Sequence, residues 1–144
     1  MNQIEQMNKY VADLAVLNVK FHNLHWNVVG ENFEAVHVYI EKLYDDLFLK
    51  FDEVAERIKM LGEFPKASVK SYLDISTVEE LADEDHTIEA SYQVLLQELN
   101  FLKNEALAIR KLADGNDDFV TVSLMEDHVG VYDKEIWFVK QALK

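Results

Sequence analysis

The chain contains no cysteine, only one proline and only four glycines among its 144 residues. The lack of cysteine excludes disulfides, iron–sulfur clusters and thiol catalysis, and it is compatible with a reducing compartment. The first residues lack the basic and then apolar layout of a secretory signal, and no apolar run approaches the roughly 18 residues of a membrane span. We therefore expect a cytoplasmic protein.

Positive charge is also scarce. The chain has 14 lysines and arginines against 27 aspartates and glutamates, which gives a formal net charge of -13 at pH 7. Such a balance repels nucleic acids and anionic membranes, and it attracts cations. The composition thus disfavours a nucleic-acid or membrane partner and favours a metal ion.

What remains favours helices. Hydrophobic residues make up 49% of the chain and charged residues 28%, as in one globular domain with a sizeable core. Few turn-forming residues and frequent Leu, Ala, Glu and Lys are typical of an all-helical chain, and no sheet is required. Apolar residues recur at spacings of three and four within residues 10–24, 33–61, 88–109 and 122–143. We predict a buried stripe on each of four helices.

The breaks between these segments suggest where the helices begin and end. Gly30 is a natural stop for the first helix, and Asn32 can cap the second, which Gly62 closes. Asp117 and Asp118 place negative charge where the last helix begins, which suits the positive end of a helix dipole.

The lengths of the connections indicate the architecture. The first two helices are only a few residues apart and should be antiparallel, whereas about 20 residues, at 63–83, separate the second from the third. That length allows a crossover along the whole bundle, with a short helix near residues 68–73. One such crossover is the ferritin-like arrangement. We predict an all-α, ferritin-like four-helix bundle in which residues 1–144 form a single domain.

The second helix carries four side chains that bind metals in other proteins: His37, Glu41, Asp52 and Glu56. At about 100° per residue they point near 0°, 40°, 60° and 100°, so they share one polar flank beside the apolar stripe. Glu41 and Asp52 are nevertheless about 16 Å apart along the axis, and His37 and Glu56 about 28 Å, while a metal ligand must reach within about 2 Å of the ion. One helix cannot surround one ion with all four.

A second copy of the same helix solves this problem. Laid antiparallel across a two-fold axis near residues 46 and 47, it would bring His37 and Glu41 of one chain opposite Asp52 and Glu56 of the other. An isologous interface then forms two identical sites. His25, near the end of the first helix, can approach His37. Two imidazoles and three carboxylates suit iron or another first-row divalent ion, and zinc can substitute.

These residues also resemble a family. The pattern His25-Trp26, Gly30, Phe33 and His37, followed by Asp-Glu-Val-Ala-Glu-Arg at residues 52–57, is similar to that of the Dps family, the small dodecameric ferritins. The match spans both halves of the first helical hairpin, and the rest of the chain agrees in length and helix pattern.

The resemblance implies a function. In that family the ferroxidase centre lies between two-fold related subunits, and it is built from the residues that match His25, His37, Glu41, Asp52 and Glu56. The resemblance therefore implies a ferroxidase that oxidises Fe(II) with hydrogen peroxide or dioxygen. It also implies that twelve subunits form a hollow shell, which stores the ferric mineral and protects against oxidative damage.

The chain departs from the family pattern in three places. The position of Glu41 is more often Asp, so the ligand is one methylene longer and keeps its charge. A Thr-x-Asp near the start of the last helix, which lines the entry pore in many members, is Thr-Val-Ser here at residues 121–123. The lysine-rich tail through which many members bind DNA is also missing. We expect no strong DNA binding at ordinary salt, which a mobility-shift assay checks.

Two other interpretations stay open. An intrachain di-metal bundle would use the E-x-x-H pattern of Glu34 and His37 with the similar Asp83 and His86. Alternatively, the protein is a structural or protein-binding bundle that binds no metal, and the acidic flank serves only to keep an oligomer soluble.

The remaining aromatic and histidine residues have less defined roles. His22 lies one turn before His25. Two roles are open for it: it supports the metal site, or it is a surface residue. For Trp26 we expect interface packing, and His86 and His128, among acidic residues, are expected to be solvated.

Overall fold

Four long helices and one short helix make up almost the whole protein. The computed structural model describes residues 1–144, and its helices are α1 (Gln3–Asn27), α2 (Phe33–Met60), α3 (Val69–Ile75), α4 (Ile88–Gly115) and α5 (Phe119–Ala142). The predicted four-helix bundle is confirmed, with α1 packed against α2 and α4, and α4 against α5. None of the helices is both long enough and apolar enough to cross a membrane.

Side-chain caps begin three of the long helices, as their sequences favour. Asn2 and Glu5 form a reciprocal capping box at α1, and the side chains of Thr87 and Asp118 accept backbone N–H groups at the starts of α4 and α5. The cap predicted for α2 is wrong in one respect. Asn32 occupies the cap position at φ -98°, ψ 30°, and its side chain makes no cap hydrogen bond.

Gly30 fits its position for two reasons. Residues with a side chain rarely adopt its backbone φ of +144°. A Cβ atom at this position would also lie only 2.8 Å from Cδ1 of Ile88. The chain therefore turns from α1 into α2 in close contact with the start of α4.

One continuous apolar core fills the bundle. It contains 23 buried residues from the four long helices and from Val28. Among its largest fully buried side chains are Tyr10, Phe21, Ile40, Leu99 and Tyr132. Burial of an apolar side chain such as Phe21, Ile40 or Leu99 contributes about 1.5–3 kcal/mol.

The crossover between α2 and α4 contains α3, close to where the sequence placed a short helix. The buried carboxylate of Asp13 in α1 accepts hydrogen bonds from the Ser76 hydroxyl at 2.7 Å and from the Thr77 N–H at 3.1 Å. Lys20 in α1 donates to the carbonyl of Glu79 at 2.6 Å. These bonds fasten the crossover along α1.

A very short parallel sheet joins the two loops at one end of the bundle. Strand β1 (Val28–Val29) pairs with β2 (His86–Thr87), Val28 opposite His86. The all-α prediction is confirmed, and these four residues form the one small sheet in the chain. The pairing satisfies backbone groups of two loops that run side by side.

The prediction that His128 is solvated is also wrong. Only 3% of the residue is exposed, because it lies on the same stripe of α5 as Met125 and Tyr132. Its Nδ1 is hydrogen-bonded to the Tyr10 hydroxyl at 3.1 Å. Burial, helped by the positive charge of Lys50, lowers the pKa of His128 to about 3, so the ring is neutral at physiological pH.

Candidate metal centre

Two of the predicted ligands form a tightly held pair. His25 in the last turn of α1 and His37 in the second turn of α2 stack with ring centroids 3.5 Å apart and an angle of 13° between the planes. The Nδ1 of His25 donates to the carbonyl of His37 at 2.7 Å, and the Nδ1 of His37 donates to the carbonyl of His25 at 2.6 Å. A carbonyl only accepts, so each Nδ1 carries a proton, which leaves Nε2 as the ring atom that can bind a metal.

Glu41 lies on α2 one turn beyond His37, with its carboxylate exposed. The hydroxyl of Tyr44 donates a long hydrogen bond to its Oε1 at 3.4 Å. The edge of the Tyr44 ring meets His25 with centroids 5.2 Å apart. We call His25, His37 and Glu41 the imidazole half-site.

The other two predicted ligands lie farther along the same helix. Asp52 and Glu56 are one turn apart on α2, and both are exposed. A hydrogen bond with Asp52 and the negative charge of that neighbour raise the pKa of Glu56. Two carboxylates this close repel each other, and a cation between them would relieve that repulsion. We call Asp52 and Glu56 the carboxylate half-site.

A single chain does not join the two half-sites. Nowhere in the chain do three histidine, aspartate or glutamate side chains lie close enough to hold one ion. The intrachain di-metal interpretation therefore lacks the ligand cluster it needs. His86, its proposed second histidine, lies in β2, and its Nε2 is 3.2 Å from the carbonyl of Ala82.

Apolar side chains are exposed between and beside the half-sites. Phe48, 60% exposed, and Leu49, 63% exposed, follow directly after the midpoint of the four ligands on α2. Trp26, one residue beyond His25, is also largely exposed and lies 5.4 Å from the ring of His22. Exposed apolar side chains of this size are typical of surfaces that contact another protein.

The sequence interpretation missed Tyr44 and Asn18. The ring of Tyr44 stacks on His22 at 3.7 Å, and the amide of Asn18 donates to the carbonyl of Tyr44 at 2.8 Å. The position of Tyr44, three residues after Glu41 and on the same side of α2, was the signal that could have revealed it.

Comparison with known proteins gives a consistent result. Residues 4–144 match the model of the ferritin-like domain family. The chain is 35% identical to DNA protection during starvation protein 2 of Bacillus anthracis over 143 residues, which covers 97% of this chain and 95% of the relative.

Solved structures agree. The crystal structure of antigen TpF1 from Treponema pallidum superposes with a TM-score of 0.96 at 32% identity, covering 99% of this chain and 91% of that one. A Dps structure from Listeria innocua, soaked with zinc, superposes with a TM-score of 0.94 at 32% identity, covering 99% and 96%.

Proposed function

The chain belongs to the ferritin-like family and, within it, to the Dps proteins, and on that premise we propose that it is a ferroxidase that stores iron. It oxidises Fe(II) with hydrogen peroxide or dioxygen at centres between two-fold related subunits. The ferric product is kept as mineral inside a hollow shell of twelve subunits, in the cytoplasm.

The symmetric placement of ligands along α2 carries this proposal. His37 and Glu56 are equally distant from the midpoint between residues 46 and 47, and so are Glu41 and Asp52. An inverted copy of α2 therefore places each imidazole half-site opposite a carboxylate half-site. The exposed Phe48 lies near the same midpoint, where the two copies would meet.

The donor set suits iron in both oxidation states. Two imidazoles that bind through Nε2 suit a first-row divalent ion, and carboxylate oxygens favour the harder Fe(III). The three carboxylates supply three negative charges, which balance the increase from +2 to +3. The fixed Nδ1 bonds of His25 and His37 keep both imidazoles in the ligating tautomer.

The reaction balances with iron as the substrate. Two Fe(II) ions each give one electron to hydrogen peroxide, the O–O bond breaks, and both oxygens end in the ferric oxyhydroxide or in water. Hydrolysis of the two Fe(III) ions releases four protons in all. With dioxygen, four Fe(II) ions supply the four electrons. Because Fe(II) and peroxide are removed together, hydroxyl radical formation is suppressed.

The acidic character of the chain fits this role. A charge of -13 on each subunit attracts Fe(II) to the shell. The same charge opposes binding to DNA, so we propose that protection comes from removing iron and peroxide. A mobility-shift assay at ordinary salt that showed strong DNA binding would contradict this part of the proposal.

One experiment tests the function directly. Fe(II) is added without oxygen to the purified protein, peroxide or air follows, and ferric absorbance is measured together with sedimentation. We expect two irons to be oxidised per site and the mineral to sediment inside a particle near twelve times the 16.7-kDa chain mass. Oxidation no faster than in buffer, or ferric product that precipitates outside the protein, would refute the proposal.

A further inference from the structure

We propose that Tyr44 is a positioning residue of the candidate centre, which holds Glu41 and His25 in their ligating orientations. This inference rests on the proposed function, because it assumes that the imidazole half-site binds iron. Tyr44 acts through Glu41 and does not itself touch the metal.

Tyr44 contacts both kinds of ligand in the imidazole half-site. Its hydroxyl reaches Oε1 of Glu41 at 3.4 Å. Its ring meets the ring of His25 edge-on, at an angle of 86° and a centroid distance of 5.2 Å. One aromatic side chain thus contacts a carboxylate ligand through its polar end and an imidazole ligand through its ring.

Two further residues of α1, Asn18 and His22, also hold Tyr44 in place. The side-chain amide of Asn18 donates to the backbone carbonyl of Tyr44 at 2.8 Å. The carbonyl of Asn18 accepts from Nδ1 of His22 at 2.6 Å. The His22 ring, oriented by that bond, stacks on Tyr44 at 3.7 Å and 22°. Tyr44 therefore lies between two imidazoles, and this packing limits the rotation of its ring.

The need for such a contact follows from the length of Glu41. A glutamate has one more rotatable bond than an aspartate, so its carboxylate is less well defined when exposed. A hydrogen bond to one carboxylate oxygen restricts that freedom and leaves the other oxygen for the metal. Groups that orient metal ligands in this way typically change affinity or activity by about 10- to 100-fold. The bond is long, so we expect the lower end of that range.

The primary test compares Tyr44→Phe with Tyr39→Phe in the assembled full-length protein. Each change removes the hydroxyl of a tyrosine in α2 that donates a hydrogen bond to a glutamate. Tyr39 is the control because its hydroxyl donates at 2.7 Å to Glu135, which belongs to neither half-site. We expect Tyr44→Phe to weaken anaerobic Co(II) binding about tenfold and to raise KM for Fe(II) more than it lowers kcat. Tyr39→Phe should behave as wild type.

A double-mutant cycle separates positioning through Glu41 from a general structural effect. In a Glu41→Asp background the shorter carboxylate lies farther from the phenol, so Tyr44→Phe should have little further effect on Co(II) affinity. If Tyr44→Phe has the same effect in both backgrounds, or none in either, the inference is wrong. If wild type itself fails to oxidise Fe(II), the proposed function fails instead, while the Co(II) cycle still tests how Tyr44 acts.

Discussion

The two half-sites on α2 are built in different ways. In the imidazole half-site the two histidines hold one another, because His25 and His37 exchange hydrogen bonds with each other's backbone and their rings stack. In the carboxylate half-site, Asp52 and Glu56 are exposed, and a hydrogen bond with Asp52 together with the negative charge of Asp52 raises the pKa of Glu56.

This difference suggests a division of roles. The imidazole half-site is preorganised, so it loses little conformational entropy on binding and can define where the iron sits. The carboxylate half-site supplies negative charge, and a bound cation relieves the repulsion between its two carboxylates. Removing the imidazole ligands should therefore abolish the site, whereas a small change in the carboxylate half-site should only alter the affinity for the metal.

The largest effect is expected from the imidazole half-site. Replacing His25 and His37 together by Ala removes both nitrogen ligands, and we expect Fe(II) oxidation to fall by about 100-fold or more. The initial rate of ferric absorbance measures this, and sedimentation confirms that the oligomer is intact. His86→Ala is the control, because that ring lies outside the predicted ligand set and its Nε2 is hydrogen-bonded to the carbonyl of Ala82. Unchanged oxidation in the double variant would defeat the ferroxidase interpretation.

A smaller effect is expected from Asp52→Asn in the carboxylate half-site. The change removes one negative charge and one of the two carboxylates, while the imidazole half-site stays preorganised. We expect anaerobic Co(II) affinity to fall by about 10- to 100-fold, measured by titration calorimetry. Asp45→Asn removes a charge from the same helix outside the predicted ligand set and should change affinity less. Equal losses in the two variants would show that only the overall charge of α2 matters.

A third prediction concerns the core beneath the carboxylate half-site. The buried Nε2 of His128 has no hydrogen-bond partner, and its nearest carboxylate oxygen is Oε1 of Glu53, at 3.7 Å, on the residue next to Asp52. Because burial lowers the pKa of His128 to about 3, the unfolded chain binds a proton below about pH 6.5 that the folded chain does not. Stability should therefore decrease as the pH falls from about 6.5 towards 3, by up to about 1.4 kcal/mol per subunit per pH unit.

Urea unfolding of wild type and His128→Leu at pH 7 and pH 5 measures this contribution. The variant should lose less stability between the two pH values than wild type does. Burial raises the pKa of Glu105 to about 7, which acts in the opposite direction, but both proteins share that group and its contribution cancels. Equal losses in both proteins would contradict the prediction.

The smallest effect is expected from Glu41→Asp. The charge is kept and the reach is shortened by one methylene, so we expect Fe(II) oxidation to stay within about tenfold of wild type. Glu41→Gln, which keeps the length and removes the charge, is the matched comparison and should be impaired more. A greater loss from the aspartate variant would mean that ligand length matters more than charge in the imidazole half-site.

Much of the fold was predictable because helical periodicity is a strong signal. The four apolar stripes correspond to α1, α2, α4 and α5, and the short helix expected near residues 68–73 is α3 at Val69–Ile75. The strands β1 and β2 have two residues each, so the alternation of apolar and polar residues that identifies a strand cannot be seen in their sequences. The prediction for His128 is wrong because its acidic neighbours in the sequence lie on the exposed side of α5, whereas His128 lies on the buried stripe with Met125 and Tyr132.

The site was predictable only in part. Spacing along α2 and the family resemblance selected His25, His37, Glu41, Asp52 and Glu56, and the structure shows that the first two are paired. How the two half-sites face each other depends on a second chain, so their union stays a prediction. The spacing along α2 indicates that Tyr44 lies near Glu41, whereas its contacts with Asn18 and His22 depend on how α1 packs against α2.

The central claim, that each centre combines half-sites from two chains, is tested most directly by mixing two inactive variants. One variant carries His25→Ala and His37→Ala, the other Asp52→Ala and Glu56→Ala, and the two are co-expressed and purified as mixed assemblies. Half of the randomly formed two-fold pairs are mixed, and each mixed pair has one intact centre out of two. We predict that Fe(II) oxidation recovers to about a quarter of the wild-type rate. Mixed assemblies as inactive as either variant alone would contradict the claim.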